Sequence, residues 1–307
     1  MIREGIVPVR GEFMPGYVLS CCSTADVTRE WLENRDIAYL YFNYFLNGEM
    51  CKDDFGATNP PAQLYAKMLA GADAKTSQIS AGDYMEHFEK YLAQGKDVLH
   101  VTLSTGISGT FNSACAARDQ LAEKYPDRKI YVIDSLAASS GFGLLMDRLA
   151  ELRDGGMGID ELAAWAEDHK HEVQHWFFSS DLTFFVRGGR ISKAAGLVGG
   201  MLKICPVMDV EPDGSLAVKE KIRTKAKAIN RVVEKMEELA EDGLDYSGTC
   251  YISQSECLAD AQEVAARIEE RFPKLNGKVE IFPIGATIGV HTGPGTVALF
   301  FWGQRRV

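Results

Sequence analysis

The stretch Val98-Leu99-His100-Val101-Thr102-Leu103-Ser104-Thr105-Gly106-Ile107-Ser108-Gly109-Thr110-Phe111 decides the fold. Val98 to Leu103 predicts a buried strand, and Thr110 to Tyr125 predicts a helix. The turn between them is made only of small, hydroxyl-bearing residues, one Ile and two glycines. A strand feeding directly into a helix is half of a parallel β-α-β unit, and open parallel sheets bind ligands at the carboxyl ends of their strands. Gly106 and Gly109 let backbone approach a ligand, while Ser104, Thr105, Ser108 and Thr110 offer hydroxyls. A plain strand-to-helix turn built of small residues remains the alternative. No G-K-[ST] follows, so this is not a P-loop, and the glycines do not follow G-x-G-x-x-G. The order Gly106-Ile107-Ser108-Gly109-Thr110 lacks the glycine two after the serine that a nucleophile elbow has.

Outward from this unit the alternation repeats. Strands are predicted at Tyr17 to Cys22, Ala38 to Leu46 and Ile130 to Ile133. Helices are predicted at Asn59 to Ala72, Ala81 to Gln94, Gly141 to Arg153 and Ile159 to Lys170. The first half is therefore α/β with a doubly wound, mainly parallel sheet. From Val173 to Phe178 onward the pattern changes. A Gly-rich region spans Gly188 to Gly200. Pro212-Asp213-Gly214 predicts a turn between strands at Val207 to Val210 and Leu216 to Lys219. Amphipathic helices are expected at Lys225 to Glu241 and Glu256 to Phe272, with strands at Thr249 to Ile252, Val279 to Phe282 and Val297 to Phe301. We place an N-terminal α/β domain at 1–170 and a C-terminal α/β domain with antiparallel strands at 171–307. No Pro/Ser linker separates them, so they are expected to pack closely around a ligand cleft.

Composition narrows the function. The chain has 307 residues, 46% hydrophobic and 25% charged, which excludes fibrous and disordered classes. Its net charge of −10 disfavours nucleic acid, which needs a basic excess, and electrostatic attachment to anionic membrane. No run of 18 apolar residues is long enough to span a bilayer, so stable membrane insertion is not expected. Met1 to Tyr17 has no apolar signal core. Seven cysteines without a C-x-x-C pair predict reduced thiols, no zinc site and a cytoplasmic location.

Four further segments carry candidate chemistry. In Thr76-Ser77-Gln78-Ile79-Ser80 the hydroxyls either cap the following helix or face an anion. In Arg187-Gly188-Gly189-Arg190-Ile191 the arginines either grip a carboxylate or phosphate as a fork or lie solvated on a turn. His291-Thr292-Gly293-Pro294-Gly295 presents an imidazole from a Gly/Pro loop, to serve a site or merely the local structure. Lys219 to Arg231 carries six basic residues against one Glu, either as a solvated face or as a patch that docks an acidic partner. His169, His171 and His175 cluster, with 171 and 175 at the i, i+4 spacing of a helical metal pair, but the predicted helix ends at Lys170, and they are read as a solvated helix end.

Taken in order, Ser23-Thr24-Ala25-Asp26, Thr76-Ser77-Gln78, Ser104 through Ala114, Asp134-Ser135, Arg187 through Ile191, Asp213-Gly214, Arg223 with Lys225, and His291 through Gly295 resemble the DegV family over nearly the whole chain. That family includes the fatty-acid-binding subunits of bacterial fatty acid kinase. The resemblance implies a protein that is not itself an enzyme and needs no cofactor or metal. It would hold one long-chain fatty acid between its domains and present the carboxylate to a kinase subunit for acyl-phosphate formation. It implies ligand contacts at Thr76, Ser77, Ser108, Gly109, Thr110, Arg190 and His291, and kinase docking at Arg223 and Lys225. The chain departs from the family pattern at Cys22-Ser23, where an Asp-Ser pair is usual, and in the aromatic run Tyr39 to Phe45. Two other readings stand beside it: an ester hydrolase with Ser108 as nucleophile and His291 as base, and a binder of another small anion such as a phosphorylated metabolite. For a fatty acid the chemistry is consistent. A buried carboxylate needs hydrogen bonds, expected here from hydroxyls and an imidazolium, while each buried methylene contributes about 0.8 kcal/mol.

Overall fold

The computed structural model describes residues 16–192 and 204–307. The start of the chain and residues 193–200 of the Gly-rich region lie outside them. The deciding stretch folds as the sequence predicts: strand β6 (Asp97–Thr102) leads through the small-residue turn into helix α4 (Thr110–Lys124). With β1 (Tyr17–Cys22), β2 (Ile37–Leu40) and β7 (Ile130–Asp134) it forms a sheet of order β2-β1-β6-β7, parallel throughout. Residues of both faces of β1 and β6 are buried, as parallel strands covered by helices on both sides require.

The second sheet has six strands. Its order is β10 (Leu216–Ile222), β9 (Cys205–Val210), β8 (Val173–Ser179), β13 (Thr296–Trp302), β11 (Tyr251–Gln254), β12 (Glu280–Pro283). All its pairings are antiparallel except β11 with β12. Helix α5 (Ser139–Asp154) packs against β1 and against β8, β11 and β13, so it lies between the two sheets and joins them into one core. The helices α8 (Lys225–Leu239) and α9 (Leu258–Arg271) pack on each other, and α8 covers β8 and β9.

The predicted strand at Ala38 to Leu46 is in fact two. The chain leaves the parallel sheet at Tyr41, where Ser23 Oγ accepts the Phe42 N–H (3.1 Å) and Phe42 O accepts the Asp53 N–H (2.9 Å). It re-enters as β3 (Asn43–Leu46) in a small antiparallel sheet with β4 (Glu49–Lys52) and β5 (Ala74–Ser77). The β3–β4 turn is Asn47-Gly48, with φ of 53° and 85°, the left-handed pair that a two-residue hairpin needs. This signal stands in the sequence but was hidden by the continuous aromatic run. The small sheet, helix α2 (Pro61–Leu69) and two short helices, α7 (Thr183–Arg187) and α10 (Ala286–Thr292), share a separate apolar cluster of Tyr44, Leu46, Leu64, Tyr65, Met68, Phe184, Ala286 and Val290. That cluster brings residues far apart in the chain to one rim of the molecule.

Candidate functional site

A cavity of about 280 Å³ lies between the parallel sheet and the six-stranded sheet. Its walls are mainly apolar, including Leu103, Ile107, Phe177, Phe185, Ile288 and Phe300. The predicted residues Thr76, Ser77, Ser108, Gly109, Arg190 and His291 all line it. Of the aromatic run only Phe42 does. Tyr39 and Tyr41 pack edge-on against Phe55 instead.

The two alternatives for Thr76 to Ser80 divide between residues. Ser80 is the N-cap of α3 (Ala81–Leu92), and with Asp83 it forms a capping box. Thr76 sits on β5, and its Oγ1 lies 2.7 Å from His291 Nε2. His291 is not in a loop, as the Gly/Pro pattern suggested. It occupies the last turn of α10, and Gly293 at φ 66° ends the helix. The start of α10 is held by buried Asp53, whose two carboxylate oxygens accept the N–H groups of Ala286 and Thr287 at 3.0 Å each.

Arg190 fixes the imidazole's proton. Its Nη1 lies 3.3 Å from His291 Nδ1 and donates to the Gly188 carbonyl at 2.6 Å. Its Nη2 donates to the Ile107 carbonyl at 3.0 Å. A guanidinium only donates, so Nδ1 is the acceptor and the proton of the neutral ring is on Nε2. Burial first, and the Arg190 charge second, bring the His291 pKa down to about 4. The ring is therefore neutral at pH 7, which corrects the expectation of an imidazolium. Nε2–H donates to Thr76 Oγ1, and the Thr76 hydroxyl proton is left free to point into the cavity. Gly188 is required here, because a Cβ would collide with His291 Nδ1.

Ser108 lies in the β6–α4 turn, and its Oγ accepts the Thr110 N–H at 3.3 Å. Gly109 is the N-cap of α4 and supplies no capping side chain, so the positive end of this 15-residue helix faces the cavity rim. Thr110 does not line the cavity. It is buried, with Oγ1 2.8 Å from Tyr84 Oη, where it holds the first turn of α4 to α3. Cys22, at the departure from the family pattern, is a buried thiol 3.4 Å from the same Tyr84 hydroxyl, and burial pushes its pKa up to about 12. It packs in the core and leaves the cavity untouched.

Two readings lose support from this wiring. A hydrolase would need a His291 nitrogen free to take the Ser108 proton and an acid behind it. Both nitrogens are engaged, and the group behind the ring is a cation. An arginine fork at the cavity is not supported either: Arg187 is exposed, lies over the Phe184 ring at 5.3 Å and, unlike Arg190, does not line the cavity. Three of the six basic residues of the run are ion-paired. Lys225 pairs with Asp260 (2.8 Å), Lys219 with Glu211 (2.5 Å), and Arg231 with Glu220 (2.8 Å). Arg223 is exposed and makes no ion pair among the described residues. His175, expected at a solvated helix end, is instead buried on β8 and lines the cavity. The alternation of Phe177 and Ser179 with it on one strand face is the sequence signal that could have placed it there.

Comparison with known proteins agrees with this architecture. A family described as "Uncharacterised protein, DegV family" matches residues 22–304. A DegV domain-containing protein of Clostridium perfringens is 33% identical over 293 residues, covering 95% of this chain and 99% of the relative. Among solved structures, a DegV lipid-binding protein of Thermotoga maritima superposes with a TM-score of 0.80 at 28% identity, over 95% of this chain and 99% of that one. The fatty acid kinase B3 protein of Streptococcus pneumoniae, loaded with linoleic acid, has a TM-score of 0.80 at 24% identity, over 94% and 99%.

Proposed function

We propose that this chain, which belongs to the DegV family, binds one long-chain fatty acid with its tail in the apolar cavity and its carboxylate at the Thr76–Ser108–His291 rim. The observation that carries the reading is the wiring of the rim. Arg190 sets the His291 tautomer, His291 occupies the Thr76 oxygen, and the Thr76 hydroxyl becomes an obligate donor toward the cavity. The Ser108 hydroxyl, the α4 N-terminus and the partly buried Arg190 charge add favourable interactions with an anion. Ser77 and Gly109 complete the rim, and Thr110 supports it from behind. Each charge-assisted hydrogen bond is worth about 1.5–3 kcal/mol net. The tail adds about 0.8 kcal/mol per buried CH₂, so it dominates affinity and the head group sets orientation.

The lipid-binding relative of Thermotoga maritima supports a fatty-acid ligand, and the kinase component of Streptococcus pneumoniae supports presentation of the carboxylate to a kinase. In this reading Arg223, exposed and without an ion pair among the described residues, leads the docking surface, with Lys225 next to it. The division at 170/171 separates the two walls of the cavity. The setting is the cytoplasm, where seven cysteines stay reduced; all seven are free thiols, and no helix among the described residues is long and apolar enough to cross a membrane. Solvent extraction of the purified protein followed by mass spectrometry tests the ligand class. A stoichiometric fatty acid, or uptake of added oleate or palmitate after delipidation, is the expected result; the absence of both refutes the proposal.

A further inference from the structure

We propose that Ile284 is a specificity-determining residue, which excludes fatty acids that carry a methyl branch near the middle of the tail. The inference rests on the fatty-acid reading of the same cavity and names a narrower ligand class.

Ile284 joins the end of β12 to the start of α10. Its N–H donates to the Gln254 carbonyl at 2.9 Å, and the next residue, Gly285, is the N-cap of the helix. Gly285 packs so closely that a Cβ there would come within 2.6 Å of Asp26 Oδ1. Held on both sides, the Ile284 side chain is buried and lines the fatty-acid cavity. Ile284, Thr287, Ile288 and His291 all line it, at the i, i+3, i+4, i+7 spacing of one helix face. That face leads from the carboxylate rim at His291 inward to Ile284. Seven residues at a rise of 1.5 Å span about 10 Å. An extended tail covers this with about eight C–C bonds, at roughly 1.3 Å of advance per bond. Ile284 therefore meets the middle of a sixteen- to eighteen-carbon acid.

On the far side of Ile284 lies a second cavity, of about 320 Å³. Among the described residues Ile284 is the one that lines both cavities. Elsewhere the partition is held by hydrogen bonds that cross it. The Phe42 N–H donates to Ser23 Oγ at 3.1 Å, Ser139 Oγ to Asp26 Oδ2 at 2.5 Å, and the Thr287 N–H to Asp53 Oδ2 at 3.0 Å. Each donor residue lines the fatty-acid cavity and each acceptor residue lines the second. These bonds are buried, and an alkyl group that displaced one would leave its partner unsatisfied. The Ile284 side chain makes no such bond, so it closes its part of the partition by bulk alone. A methyl branch on this side of the tail meets that bulk at mid-chain. One extra methyl group in a close-fitting apolar site is discriminated against by about tenfold or more.

The test compares stearate with 10-methylstearate by competitive displacement on the delipidated wild type, Ile284→Ala and Ile288→Ala. The wild type is expected to bind stearate about tenfold tighter. In Ile284→Ala the branch enters the space shared with the second cavity, and the two acids are expected to bind within about twofold of each other. Ile288 stands one helical turn nearer the rim and does not line the second cavity, so Ile288→Ala is expected to keep the preference for stearate. Should Ile284→Ala fail to fold, Ile284→Val takes its place, with a preference reduced but not lost. Equal or tighter binding of 10-methylstearate by the wild type overturns this inference and leaves the fatty-acid reading standing. So does a preference that survives unchanged in the Ile284 variant, or one that Ile288→Ala removes equally. Binding of neither acid by the wild type overturns both.

Discussion

Thr76 and His291 stand 215 residues apart in sequence and are joined by a hydrogen bond of 2.7 Å. One belongs to a small antiparallel sheet and the other to the last turn of a short helix. Both are anchored in the same apolar cluster of Tyr44, Leu46, Leu64, Tyr65, Met68, Phe184, Ala286 and Val290. The bond directs the Thr76 hydroxyl proton into the cavity. Thr76→Val keeps the shape of the side chain and removes that donor. Fatty-acid affinity is expected to fall by about 1.5–3 kcal/mol, with Thr76→Ser close to wild type. A fluorescent fatty-acid displacement assay measures both.

Ser108→Ala removes a hydroxyl that faces the cavity and also accepts the Thr110 N–H. A loss of about 1–3 kcal/mol in binding is expected, with a smaller change in thermal stability. Equal affinity for palmitate in the variant and the wild type would take Ser108 out of the site.

His291 titrates near pH 4 because it is buried and faces a cation. Arg190→Met removes the positive charge that opposes a second one, so the His291 pKa is expected to rise toward the ordinary histidine value. Two-dimensional NMR of the imidazole Cε1–H resonances across pH 3.5 to 8 follows it directly. A downward shift in the variant would contradict the assigned contact.

Asp53 holds the start of α10 while His291 sits at its end. Asp53→Ala removes both carboxylate acceptors and is expected to destabilise the protein by about 1–2 kcal/mol. Affinity for palmitate should drop in the same variant, because the helix that presents His291 loses its anchor. Urea unfolding and the displacement assay read the two effects separately.

Ala298 lies on the cavity wall in register with Phe177, between the rim and the inner end. Ala298→Leu fills part of that passage. The variant is expected to favour shorter acids, seen as a shift of the chain length giving the largest thermal stabilisation. Inorganic phosphate should stabilise neither protein.

The parallel sheet was legible because its strands are short apolar runs that end at small-residue turns, as at Val98 to Thr110. The antiparallel six-stranded sheet was legible through Pro212-Asp213-Gly214 and the apolar pattern of β8 and β13. The small sheet was not: β4 and β5 are short, polar and half-exposed, and the aromatic run concealed the break at Tyr41. The site was legible as a set of residue types. Its wiring was not, because the protonation of His291 depends on burial and on Arg190, and spacing carries neither. The short helices α7 and α10 escaped notice because each is built of a few residues with no full apolar period. For the same reason His175 was read from its spacing to His171, when its strand neighbours decide where it points.

The most direct test of the account is the ¹³C NMR spectrum of [1-¹³C]palmitate titrated into the delipidated protein. One carboxyl resonance, distinct from free palmitate, should saturate at one equivalent per chain and move or vanish in Thr76→Val. A signal that stays at the position of free palmitate, or that is indifferent to Thr76, would contradict the placement of a fatty-acid carboxylate at this rim.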